Sequence, residues 1–95
     1  MATALLILDM QNYFFNTPEK RTGYPQLISA INELIQAFEK AETGRIYHII
    51  SLHKADRSTW SQNMLYHNAG CLLEGTTEAE IVADLLPSHK QVVIP

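Results

Sequence analysis

The chain has 95 residues, 46% of them hydrophobic, and a formal charge of -3, enough for the core of one small domain and too little for two. Its seven basic residues are scattered among ten acidic ones, with a pI near 5.7, which excludes the clustered Lys and Arg surface that nucleic-acid partners require. No apolar run approaches the roughly 20 residues that span a bilayer, and the start lacks a basic leader with a small-residue cleavage site, so a cytoplasmic protein with no membrane partner is expected.

The single cysteine, Cys71, cannot form an internal disulfide and fits a reducing compartment.

Thr3 to Leu8 is a continuous Leu- and Ile-rich run, the form of a strand covered on both faces. From Pro25 to Ala41 the residues Leu27, Ile28, Ile31, Leu34, Ile35 and Phe38 recur at three- and four-residue steps, which predicts a helix with one apolar stripe. Pro25 suits its first turn, and Gly44 suits a left-handed residue just past its end. Arg45 to Leu52, "RIYHIISL", is β-branched and aromatic and predicts a second strand. Strand, helix, strand is a parallel crossover unit.

The connection from Lys54 to Thr76 is long, and a short helix around Ser58 to Tyr66 is expected to relieve it, with Trp60 and Met64 on its buried face. In "TTEAEIVADLLP", Thr77 and Glu80 have the spacing of a capping box, which predicts a second crossover helix stopped by Pro87. Gln91 to Ile94 reads as a third strand. The sum is an α/β chain of the three-layer Rossmann-like type with a parallel sheet, over residues 1–95 its β-α-β-α-β amino-terminal half. Strand one, central in such sheets, is expected to keep an open edge, and the chain reads as cut after its third strand.

Open parallel sheets bind ligands beyond the carboxyl ends of their strands. Asp9 stands there, at the end of "LLILDMQNYFF". It either caps the following turn through its side chain or is held for chemistry. Phe14, Trp60 and Asn63 are candidates for the wall of an apolar pocket, each with a plain packing role as the alternative. Gln11 orients substrate or holds the turn by side-chain hydrogen bonds. His48 lies inside a strand, and His53, His67 and His89 are scattered, which gives no metal-ligand spacing. The turn "DMQNYF" has no glycine to bring backbone amides against a phosphate, so a nucleotide cofactor is not expected.

Asp9, Met10, Gln11, Asn12, Tyr13 and Phe14, preceded by an apolar strand, resemble the opening motif of the isochorismatase-like cysteine hydrolases, a superfamily that includes nicotinamidases and N-carbamoylsarcosine amidase. "HKADRSTW" (His53 to Trp60) and "EGTTEAEIVADLLP" (Glu74 to Pro87) follow in the family's order. The resemblance implies an Asp-Lys-Cys triad acting on a small amide or related substrate, with Asp9 as base; Gln11, Phe14 and Trp60 remain the candidates for the substrate side from their positions alone. The family's lysine directly follows the third strand and its cysteine precedes a later helix, so neither role falls on a residue of this chain. Cys71 lies before the second predicted helix, with no helix start behind it to lower its pKa, and reads as a small packing residue; Lys54 and Lys90 are also misplaced. Nicotinamidase-type members carry an Asp-x-His metal pattern after strand two, where this chain reads His53, Lys54, Ala55, Asp56, so no metal and no cofactor is expected. The expected partners are a small-molecule substrate and either a second copy or the missing carboxyl-terminal half. The alternative function is a non-catalytic half-domain that binds or scaffolds through its sheet edge.

Overall fold

In the computed structural model, which describes residues 3–41, 44–86 and 91–94, the β-rich runs become three parallel strands. They are β1 (Thr3–Leu8), β2 (Gly44–Ser51) and β3 (Gln91–Ile94), in the order β1-β2-β3. Thr3 lies opposite Gly44 and Leu8 opposite Ile49, while His48 lies opposite Gln91 and Ser51 opposite Ile94. As expected, this is a parallel α/β sheet with β1 at the edge of the described strands.

The helix α1 (Tyr24–Lys40) starts after Gly23, whose φ of 75° is left-handed, with Pro25 in its first turn. Gly44 does not have the left-handed role expected of it. It opens β2, where a Cβ would lie 2.5 Å from the Phe38 carbonyl oxygen, so the glycine is required by close approach to the helix end. The apolar stripe also divides. Ile28 and Ile35 are buried, with Ile31 packed beside them, while Leu27 and Leu34 stay 42% and 47% exposed.

One core forms between α1 and one face of the sheet. Ile7, Met10, Tyr24, Ile28, Ile35, Val82 and Leu85 are buried there, flanked by Leu5, Phe15 and Ile46. Successive strand residues face opposite sides, so Leu5 and Ile7 meet α1 while Leu6 and Leu8 point away, 56% and 58% exposed.

The second crossover departs from expectation. Thr77–Ala79 makes a single 3-10 turn, with Thr76 in the capping position and no side-chain cap, and Glu80 is already extended. The capping box fails because the backbone groups a helix would use are bonded elsewhere. The Val82 N–H donates to the Met10 carbonyl at 2.9 Å, and the Glu80 carbonyl accepts from the Asn12 N–H at 2.9 Å. Asn32 of α1 then holds the next turn, donating to the Asp84 carbonyl at 3.1 Å and accepting from the Leu86 N–H at 2.8 Å. Val82 and Leu85 thus reach the core without a helix. Pro87 and Lys90 lie outside the described residues. The short helix earlier in this second connection, α2 (Gln62–His67), begins later than expected; Ser61 caps it by accepting the Met64 N–H at 3.2 Å, and Trp60 precedes it. Among the described residues no helix is long and apolar enough to cross a membrane.

His48 is 2% exposed in the middle of β2, and its Nδ1 has no hydrogen-bond partner among the described residues. Burial holds its pKa below the ordinary 6.5. A histidine depressed in the folded state is protonated first in the unfolded chain, so stability falls as pH drops through 6.5. Urea unfolding between pH 7.5 and 5 is expected to lose up to about 1.4 kcal/mol per pH unit from this group. The H48Q variant should flatten that dependence; an unchanged slope would show that His48 is not its source.

Candidate active site

Asp9 directly follows β1, and its backbone N–H donates to the Ile49 carbonyl at 2.9 Å. Its φ is 57°, a left-handed conformation, and the residue is exposed. Left-handed backbone is disfavoured for residues with a Cβ, less so for Asp and Asn, and it concentrates at functional sites.

The two residues behind Asp9 are buried. Met10 enters the core at 6% exposure and Gln11 is 0% exposed. The Gln11 side-chain amide donates to the Ser51 carbonyl at 2.8 Å and to the Ala79 carbonyl at 2.7 Å, and its oxygen accepts the Ser51 N–H at 3.1 Å. Both amide hydrogens are therefore used inside the protein, in the turn-holding manner that was one of the two readings of this residue. Asn12 extends the same seam, its side chain donating to the Thr77 carbonyl at 2.8 Å. Residues 10–12 and 80–82 run antiparallel here, with Gln11 bridged to Ile81.

The loop after β2 is closed at its base by His53, which donates its N–H to the Leu72 carbonyl and accepts the Glu74 N–H, both at 2.8 Å. The His53 Nδ1 lies 3.0 Å from the Thr59 carbonyl oxygen. Trp60 is fixed inside this loop. Its indole N–H donates to the Lys54 carbonyl at 2.8 Å, Arg57 lies over the ring at 5.2 Å, and a Cβ at Gly70 would collide with the indole. Phe14 sits in the 3-10 turn Asn12–Phe15, half-buried, edge-on to Tyr13 at 5.3 Å.

Among the described residues, two cavities open near this end. One of about 410 Å³ is lined by Ile50, Leu52, Thr76, Ala79 and Ile81 among others, next to the Gln11 seam. The other, about 310 Å³, lies between Tyr13 and the α2 region, with Asn63, Met64, His67 and Cys71 in its wall. Asn63 lies in the wall of this second cavity. Asp9, Gln11, Phe14 and Trp60 line neither cavity. Tyr13, which the sequence did not single out, is set against Cys71. Repulsion between a tyrosinate and a Cys71 thiolate, burial and a hydrogen bond to the sulfur push the phenol above its ordinary 10. Among the described residues no group of three or more His, Cys, Asp or Glu side chains converges as a metal site.

The isochorismatase domain family matches residues 3–95. The chain belongs to the isochorismatase family. Among solved structures it is similar to an isochorismatase family protein from Desulfovibrio vulgaris subsp. vulgaris str. Hildenborough, at 33% identity and a TM-score of 0.71, over 95% of this chain and 50% of that one. An isochorismatase-like hydrolase from Alkaliphilus metalliredigens has the same fold, with a TM-score of 0.71 at 17% identity, over 98% of this chain and 50% of that one. No curated protein matches. The chain spans about half the length of these two isochorismatase-family structures.

Two expectations follow for the segment Asp9–Gln11. Replacing Gln11 by Leu strands the buried Ala79 carbonyl and the half-buried Ser51 N–H and carbonyl and should lower stability by about 2 kcal/mol or more in urea unfolding; a loss under about 1 kcal/mol would mean that the amide is dispensable. At Asp9 the side chain has no packing role, so D9G should leave stability within about 0.5 kcal/mol of the parent. The β-branched D9V should cost about 1 to 2 kcal/mol by forcing a left-handed backbone. Equal stability of the two variants would remove the backbone as the constraint at this position.

Proposed function

We propose that the protein works as a hydrolase of a small amide or related substrate, through an Asp-Lys-Cys triad in which Asp9 is the base. The observation that carries this reading is the exposed, left-handed Asp9 at the carboxyl end of a parallel strand, backed by the fully bonded Gln11. A carboxylate fixed on a rigid turn costs little reorganisation when it accepts a proton.

In the proposed reaction Asp9 takes the proton of a cysteine thiol, and the thiolate sulfur attacks the substrate carbonyl carbon. The tetrahedral species collapses as the C–N bond breaks, and the amine leaves with the proton from Asp9. Water then gives its proton to Asp9 and attacks the thioester, which releases the acid and restores the thiol. A lysine ammonium beside the thiol favours the thiolate. No cofactor enters this sequence. Neither the lysine nor the cysteine is assigned within these 95 residues, and Cys71, against Tyr13 in the side cavity, is not proposed as the nucleophile. Gln11 acts from behind by holding the rim, while Phe14 and Trp60 supply apolar walls for the substrate.

The chain alone is expected to be inert, since a base without a nucleophile cannot run covalent catalysis. Assays on simple amides should find turnover only in a longer product of the same gene, and D9N in that product should lower kcat by about a thousandfold or more. Turnover by the 95-residue form, or an active D9N, would overturn the assignment. A second reading, a non-catalytic half-domain that pairs with its own copy, is favoured by the exposed Leu6 and Leu8 at the β1 edge. Light scattering separates the two, because that reading requires a dimer.

A further inference from the structure

Met64, His67 and Cys71 border one cavity of about 310 Å³, between Tyr13 and the helix α2. Met64 and His67 stand three residues apart in α2 and so share one face of it. Asn68 ends the helix with a left-handed φ of 49°, its N–H donating to the Leu65 carbonyl at 3.2 Å while the Ala69 N–H donates to the Met64 carbonyl at 3.0 Å. That reversal brings the next residues back against the helix end. Gly70 packs where a Cβ would lie 2.5 Å from the Trp60 ring, and the buried Leu72 accepts the His53 N–H on its carbonyl at 2.8 Å. Cys71 is held between these two fixed neighbours, its sulfur set against the Tyr13 hydroxyl. Met64 and Cys71 are half-buried and His67 is exposed, so the imidazole is the group of the three that meets solvent.

We propose that Met64, His67 and Cys71 form a three-coordinate site for a soft monovalent metal ion, Cu(I) or its analogue Ag(I). A thiolate, a thioether and an imidazole make a soft donor set, and sulfur ligands of these two kinds select Cu(I). Among the described residues the wall of the cavity holds no Asp or Glu, and carboxylates are the ligands that Mg(II), Ca(II) and Mn(II) favour. Zinc sites are built from thiolate, imidazole and carboxylate and take four ligands, which a cavity with one thioether and no carboxylate does not supply. Charge selects the same class. Binding releases the Cys71 thiol proton to water as the sulfur–metal bond forms. The thiolate with a monovalent ion is then neutral, whereas a divalent ion would leave a net positive charge in a half-buried cavity, which is costly. With a thioether as its third ligand, the site involves no three His, Cys, Asp or Glu side chains. It stands apart from the hydrolase reading, since Asp9 does not line this cavity.

Titration of the reduced 95-residue chain with Cu(I), held in anaerobic solution by a coloured Cu(I) chelator, tests the site. One Cu(I) per chain should leave the chelator, and the mass of the protein in solution should not change on loading. C71S should abolish the transfer. M64L and H67A should each weaken binding by at least the roughly ten- to hundredfold that even outer-shell changes cost. Both variants should keep the parent's urea midpoint, because His67 is exposed and Met to Leu conserves volume. Failure of the chain to take Cu(I) from the chelator, a metal-bridged dimer, or full binding in C71S each overturns the proposal. So does an M64L or H67A variant that binds as tightly as the parent, the mark of a cysteine acting without its neighbours, and so does Zn(II) displacing Cu(I) at equal concentration. Amide turnover is no part of these measurements, so loss of the hydrolase reading would leave their outcome unchanged.

Discussion

The side-chain amide of Gln11 is the contact on which this end of the molecule depends. One planar group, wholly removed from solvent, joins the exit of β1 to Ser51 at the end of β2 and to Ala79 in the following turn. These segments are separated by 40 and 68 residues in sequence. No helix or strand ladder joins all three. Each of these hydrogen bonds has a small net value in water, but leaving its buried backbone partner unpaired carries the full desolvation cost of that group. The amide therefore acts as a condition for the arrangement of the strand ends.

That seam also explains the missing second helix. Local signals at Thr77 and Glu80 favour a capped helix, yet the carbonyls of Thr77, Ala79 and Glu80 accept from Asn12, Gln11 and Asn12 respectively. Turned toward these distant donors, the carbonyls do not form the i+4 ladder of a helix; the Thr77 carbonyl keeps only the i+3 bond from the Glu80 N–H, at 3.1 Å. Val82 and Leu85 keep a three-residue step and still reach the core, so the apolar periodicity was legible while the backbone conformation was not. Tertiary bonding overrode propensity here.

The strands and α1 were legible because their signals are internal to each segment: an apolar β-prone run, or a stripe at helical spacing. The site was legible only in part. Asp9 could be placed from the polarity of a parallel sheet, and Gln11 could be seen to have two roles, but nothing in the order of residues reveals which carbonyls converge on its amide. Tyr13 lies beyond such reasoning altogether. Its pairing with Cys71 across the small cavity joins positions 58 residues apart, and no local pattern marks either as a partner of the other. Trp60 shows the converse case, since its four-residue step to Met64 implied a helix face, whereas the indole precedes the helix and is tied to Lys54.

The left-handed residue at position 9 resolves how an acid can end so apolar a run. Along β1 the odd positions Leu5 and Ile7 pack toward α1, and uninterrupted alternation would carry the Asp9 carboxylate into that same core, where an unpaired charge is costly. The positive φ at Asp9 breaks the alternation. The carboxylate turns out to solvent while Met10 and Gln11, adjacent in sequence, are both buried. A residue with a short polar side chain tolerates this backbone better than the Leu and Ile before it, so the same choice that keeps the charge out of the core also sets it at the rim of the sheet. Gln11 then prevents the turn from relaxing, because any rotation that returned Asp9 to strand geometry would draw the amide away from Ser51 and Ala79. The acid is exposed because the glutamine behind it is not.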